Sequence, residues 1–244
     1  MVGEDDLTLV IGILCKDGVV VASDSEVTLS NEIGGQRAKK IFLADSRTIF
    51  SGAGDVGMGQ TFLEHFKTEI HRDQFFEGVE LPTKLKDKIL SSLSSVGAPF
   101  REAWRNSKNF NEGFDSIVAI PHNDTPYLFS ITANYHACMA TDDIPWFSAG
   151  KGSPAADAYL IFIRRLLWGG MRPSLAQGKF AATWTIEYVK QSISGGVGGP
   201  IQMAVLSGGG STWKAKEISS AEIRRLLSRI IEIETRISAI DFAQ

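Results

Sequence analysis

Residues 7–28 read LTLVIGILCKDGVVVASDSEVT. Leu7 to Cys15 is a continuous apolar run with β-branched residues, too short for a typical helix, and Val19 to Ser23 is a second. Lys16-Asp17-Gly18 between them is a turn signal of the Asp-Gly type. The pair reads as a β-hairpin, so the chain opens antiparallel.

Outward from that hairpin, Lys40 to Ala44 and Thr48 to Ser51 read as a second one around Asp45-Ser46-Arg47, giving four opening strands. The glycine-dense GAGDVGMG follows, then helical stretches at about Gly57 to Gln74 and Leu81 to Asn106, with Phe62, Phe66 and Ile70 at helical spacing. Strands return at about Phe114 to Ile120, Pro126 to Ile131, His136 to Thr141 and Trp146 to Ser148. Helices are expected near Ser153 to Leu167 and Leu175 to Ser192. A last hairpin, Pro200 to Ser207 and Thr212 to Glu217, precedes an amphipathic helix over Ser220 to Ile240. Helices arriving in pairs between hairpins do not make an alternating βαβ pattern. They predict an α+β fold, a four-layer αββα sandwich of two antiparallel sheets flanked by helix pairs.

The totals fit one domain, with residues 1–7 as a short leader and 8–244 as the folded unit. With 43% hydrophobic and 22% charged residues, the chain can bury a large core without disulfides or metal. The net charge is −3 and no basic block is present, which argues against a nucleic-acid partner. Cys15 and Cys138 are far apart in sequence and read as buried reduced thiols. The start, MVGEDD, is acidic where a signal peptide is basic, and no run approaches the ~18 apolar residues of a membrane span, so a cytoplasmic protein is expected. His65, His71, His122 and His136 lack metal spacing.

Gly52-Ala53-Gly54-Asp55-Val56-Gly57 matches G-x-G-x-x-G literally. The fingerprint needs a parallel βαβ unit with an acidic residue ending the next strand. Here the preceding strands form hairpins, and Asp73 sits in a helical stretch. A dinucleotide site is therefore not expected. Gly195, Gly196, Gly198 and Gly199 lack the Lys-Ser/Thr of a P-loop.

Thr8, Asp24 and Lys40 carry the chemistry. A threonine hydroxyl is a poor nucleophile unless something takes its proton, and an N-terminal threonine brings its own base, the α-amine. That amine titrates near about 7.8 and lysine near about 10.4, so at neutral pH the free amine is the more abundant base by roughly two to three orders of magnitude. Lys40 would stay charged and depress the pKa of its neighbours, with Asp24 fixing its position. Gly54, in a glycine-rich turn before a helix, offers a backbone N–H for an oxyanion.

These residues also resemble a known family. Thr-x-x-x-Gly-Ile, Lys-Asp-Gly-Val-Val-x-Ala-x-Asp-Ser-x-Val-Thr, Lys-Ile-Phe and Ser-Gly-Ala-Gly-x-x-Gly look like the proteasome β-subunit family of N-terminal nucleophile hydrolases, in a divergent, bacterial-type form. The resemblance implies Thr8 as nucleophile after removal of residues 1–7, Asp24 and Lys40 as its acid-lysine pair, and Gly54 as oxyanion donor. It makes Val27 and Thr28 the strand that pairs with substrate, and Gly52 and Val56 walls of a roomy pocket for the residue before the cut. It implies no cofactor and no metal. The implied partners are a peptide or unfolded-protein substrate and copies of the chain in rings or stacked rings, leaving open whether an ATPase unfoldase serves them. Ser148 to Pro154 and Ser192 to Gly196 are similar to two further family turns, and the helix beyond Ser220 has no place in the pattern.

Three positions depart from the family. Leu7 stands where glycine usually precedes the nucleophile, Lys151 where a supporting serine stands, and Gln191, three residues before Ser194, where an aspartate usually supports that serine. Ser153 reads equally as a helix cap, because Pro154 follows it. Two alternatives stay open: a catalytically inactive ring scaffold in which Thr8 is never exposed, and an amidase or transpeptidase acting on a special acyl donor. Leu226 to Ile240 is a candidate subunit contact, with core packing the commoner use of such a face.

Overall fold

Strands β1 (Val10–Cys15) and β2 (Gly18–Ser23) pair in register from Val10↔Ser23 to Cys15↔Gly18, closing the expected hairpin. In this computed structural model, which describes residues 8–27, 36–72, 75–105, 114–193, 196–209 and 212–240, both strands are buried along their whole length. Alternation explains why an unbroken apolar run is needed there. Leu9, Ile11, Ile13 and Cys15 face one helical layer, while Val10 and Leu14 face the opposite sheet. Such strands read as continuous rather than alternating hydrophobics.

A two-residue ribbon, β3 (Glu26–Val27) with β4 (Gln36–Arg37), follows; it is too short to leave a periodic signal. β5 (Ile41–Leu43) and β6 (Ile49–Gly54) form the second expected hairpin. One expectation is corrected here: Gly52-Ala53-Gly54 are not a turn but the end of β6, paired residue by residue with Ser116, Asp115 and Phe114. With β3 and β4, six strands precede the first helix among the described residues, where four were expected.

Helix α1 (Val56–Ile70) is capped by the Asp55 carboxylate, which accepts from Met58 N at 2.7 Å, and ends at His71. The chain turns there so that Phe75 can meet Phe66 edge-on at 6.2 Å. α2 (Pro82–Arg105) returns antiparallel to it. β7 (Phe114–His122), β8 (Thr125–Ile131), β9 (Ala137–Met139) and β10 (Trp146–Ala149) come next. α3 (Ser153–Ile163) then widens into a π-helical turn over Arg164–Trp168, which buries Trp168 against Trp146 at 6.1 Å. α4 (Leu175–Ser192), β11 (Gln202–Ser207), β12 (Lys214–Glu217) and α5 (Ser220–Ser238) complete the chain.

One sheet has the order β10-β1-β2-β11-β12 and the other β5-β6-β7-β8-β9, with every pairing antiparallel. α1 and α2 cover the second sheet through Phe62, Phe66, Leu85 and Ile89; α3 and α4 cover the first through Leu160, Ala181 and Val189. Val21, Ile117, Leu128 and Ala204 fill the space between the sheets. This is the expected αββα sandwich, with a third helix on one side. α5 docks on α4 through Ile223 and Ile230 and through Trp184 Nε1, which donates to Glu234 Oε1 at 2.7 Å, while Ile231 and Ile237 remain exposed. Among the described residues no helix is long and apolar enough to cross a membrane.

The cysteines separate. Cys15 is buried beneath α4, whereas Cys138 is exposed on the edge strand β9, correcting the expectation of two buried thiols. Burial first, and the Asp17 charge second, push the Cys15 thiol far above its ordinary range. Iodoacetamide at pH 8 is expected to add one label to the native chain, at Cys138, and two in denaturant; intact mass reads the result.

Candidate active site

Thr8 sits two residues before β1, and the residue is 6% exposed. Its Oγ1 accepts a hydrogen bond from Lys40 Nζ at 3.1 Å, and the same ammonium donates to Asp24 Oδ1 at 2.9 Å. The sheet positions all three. Asp24 follows the last residue of β2, which lies beside Val10 at the start of β1, and Lys40 precedes β5 in the facing sheet. The ion pair is deeply buried, with side-chain exposures of 7% for Lys40 and 0% for Asp24. A buried pair is tolerable only when its remaining hydrogen-bonding capacity is met.

That capacity is met by residues the sequence reading missed. Asp24 Oδ1 also accepts from Leu9 N at 3.0 Å, and Oδ2 accepts from Glu26 N at 3.0 Å and Gly198 N at 3.2 Å. Lys40 is held by its own peptide groups: its N–H donates to Gln202 Oε1 at 2.9 Å, and its carbonyl accepts from Ser51 Oγ at 2.7 Å. Gln202 is a lone amide at the start of an apolar strand, and that is the one local signal of its role. Gly198 belongs to the glycine run set aside as a false phosphate loop; one of its uses is to orient the carboxylate.

Gly150, with φ +92, passes so close to Thr8 that a Cβ there would stand 2.8 Å from the Thr8 carbonyl carbon. The next turn residue but one, Gly152, donates its N–H to Thr8 O at 3.3 Å. Ser153 is the first residue of α3 and donates its hydroxyl to Gly150 O, so it braces this turn instead of capping the helix, whose N-cap is Gly152. Lys151 lies exposed on the same turn, and desolvation holds its ammonium below the ordinary lysine value. It is the Lys40 ammonium that meets Thr8. Gln191 is exposed in the last turn of α4. Leu7, Thr28 and Ser194 lie outside the described residues.

Thr8 and Lys40 line a cavity of about 310 Å³ whose wall also includes Gly52 and Val56, the two residues for which the family resemblance implies a wall role, and Gly54, for which it implies the oxyanion donor. Gly54 ends β6 at φ +120, a conformation glycine adopts without strain, two residues before α1 begins. Val56 is 47% exposed at the start of that helix. The room does not come from Gly52: a Cβ there would stand 2.6 Å from Phe114 Cε1, so the Phe114 ring already occupies its side-chain space. Val27 lies in β3, in register with Gln36 of β4. Among the described residues no group of His, Cys, Asp and Glu could hold a metal ion.

The arrangement places a hydroxyl, a hydrogen-bonded ammonium and a fixed carboxylate beside a cleft, which is the constellation of an activated nucleophile. Proteasome subunit beta of Thermoplasma acidophilum is 28% identical over 147 residues, 60% of this chain and 63% of that protein. Proteasome subunit beta 1 of Thermococcus kodakarensis is 44% identical over 154 residues, 63% of this chain and 68% of that protein. The chain thus spans a little under two thirds of the Thermoplasma relative. Two solved structures share the fold: Anbu (ancestral beta-subunit) from Yersinia bercovieri, at TM-score 0.69 and 13% identity over 97% of this chain and 99% of that one, and the helical assembly of the Anbu complex from Pseudomonas aeruginosa, at TM-score 0.66 and 18% identity over 96% and 99%. The sequence pattern of the family described as "Proteasome subunit" matches residues 8–161, more than half of the chain and beginning on Thr8 itself. The chain belongs to the proteasome subunit family.

Proposed function

We propose that the chain is a threonine-type endopeptidase, with Thr8 as N-terminal nucleophile once residues 1–7 are removed. The observation that carries this is the Lys40 ammonium placed between Thr8 Oγ1 and Asp24 Oδ1, 3.1 and 2.9 Å away, in a buried setting on a cavity wall. Thr8 Oγ attacks the scissile carbonyl, and its proton passes to the freed α-amine, which later gives it to the leaving amine. Lys40 stabilises the negative charge that grows on Oγ, and Gly54 N–H receives the oxyanion. Water then hydrolyses the ester, restoring the hydroxyl. An unguarded peptidase would damage its own cell, so the working form is a homo-oligomeric ring; the Anbu complex of the Pseudomonas neighbour is a helical assembly, which supports self-association in general.

Fluorogenic peptides test this together with intact mass. The purified chain is expected to lose Met1 to Leu7 and to turn peptides over. Thr8→Ala is expected to stay full length and inactive, and Thr8→Ser to keep part of the activity. Equal turnover by the chain and Thr8→Ala would sink the reading. A ring scaffold without catalysis is the second reading, favoured by Lys151 and Gln191 lying exposed where the family pattern has a supporting serine and aspartate. A stable, full-length, inactive chain would establish it.

A further inference from the structure

The depth of the Thr8 cavity is set by one ring. Gly52 on β6 and Gly59 on α1 both lack a side chain where Phe114 lies, and a Cβ on either would come within 2.6 Å of a Phe114 ring carbon. The ring is fixed: Phe50 stacks on it at 6.3 Å, Phe62 meets it edge-on at 5.7 Å, and it is 7% exposed. Phe114 thus fills the depth the two glycines open. The charged groups on the wall are already engaged, Lys40 with Asp24 and Lys39 with Glu217 at 2.6 Å. Lys39 also lies 5.8 Å from the centroid of the Phe42 ring. Among the described residues no carboxylate lines the cavity.

We infer that Phe114 is a specificity-determining residue that closes the pocket for the side chain before the scissile bond. It selects a mid-sized apolar residue such as leucine, disfavours tryptophan for lack of depth, and disfavours arginine most because none of the described wall residues carries a carboxylate to pair with it. Glutamate ranks between, since it would have to draw the Lys39 ammonium on the wall away from Glu217. This rests on the peptidase reading of the same site.

The test has two arms, each run on the full chain, Phe114→Ala and Phe114→Leu, with circular dichroism to check folding. The first measures kcat/KM for fluorogenic peptides ending in Leu, Trp, Glu or Arg. The expected result is Leu ahead of Trp, Glu and Arg by about tenfold or more, with Trp gaining about tenfold on Leu in the variants. The second measures binding of N-acetyl-leucinamide and N-acetyl-tryptophanamide by ligand-observed NMR and needs no bond cleavage. The same change of preference is expected there. If Phe114→Ala does not fold, Phe114→Leu decides. Cleavage with an unchanged Leu to Trp ratio, or a native preference for Arg or Glu, overturns the inference alone. Binding preference without any cleavage supports the pocket and removes the peptidase reading, and absence of both removes both.

Discussion

Lys40→Met is expected to abolish peptide turnover and to destabilise the fold by ~3 kcal/mol. Removing one partner of a buried pair typically costs ~3–5 kcal/mol, because the other charge is left without compensation. Here three backbone N–H groups still reach Asp24, which places the cost at the lower end. Urea unfolding measures the stability and a fluorogenic peptide the activity. The double variant Asp24→Leu with Lys40→Met separates the two effects: it should recover most of the stability, since apolar replacement of a buried pair is often neutral, yet no activity. A single variant as stable as the parent would show that the pair is solvated.

Gly150→Ala should be nearly as damaging although it adds one methyl. The φ of +92 is poorly tolerated by a side chain, at about 1–3 kcal/mol, and the new Cβ meets the Thr8 backbone, which cannot rotate away. The Thr8 carbonyl must move, and a shift of about 1 Å at a reacting group costs on the order of a hundredfold in rate. A loss of about 3 kcal/mol with turnover down about a hundredfold is expected. Gly209→Ala, with nothing within 4 Å of its Cβ, is the control and should change stability by less than ~0.5 kcal/mol. Comparable effects from the two would mean that the turn at 150–152 does not support Thr8.

The αββα layers were legible because their signals are local. A two-face-buried strand such as β1 must be apolar at every position, and helices in pairs leave long amphipathic stretches. Thr8, Asp24 and Lys40 were legible because they fall within 33 residues of one another on consecutive hairpins. Gly52 to Gly54 were misread because glycine suits both a turn and a strand that must pass close to a ring, and only the partner, Phe114, distinguishes the two. Ser51, Gly198 and Gln202 left little trace, since what makes them part of the site is a hydrogen bond to a partner placed by tertiary pairing. The β3–β4 ribbon is too short for periodicity, and the π-helical turn is set by where Trp168 must go.

The hydrogen bonds that hold Asp24 and Lys40 span 174 and 162 residues, to Gly198 and Gln202. Contacts of such separation form late in folding. At ~5–20 residues per second of synthesis, Gln202 follows Thr8 out of the ribosome by on the order of 10–40 s. Throughout that interval Asp24 and Lys40 exist with Leu9, Glu26 and Ser51 beside them but without Gly198 and Gln202. Strand order thus leaves the candidate site incomplete until nearly the whole chain has been made.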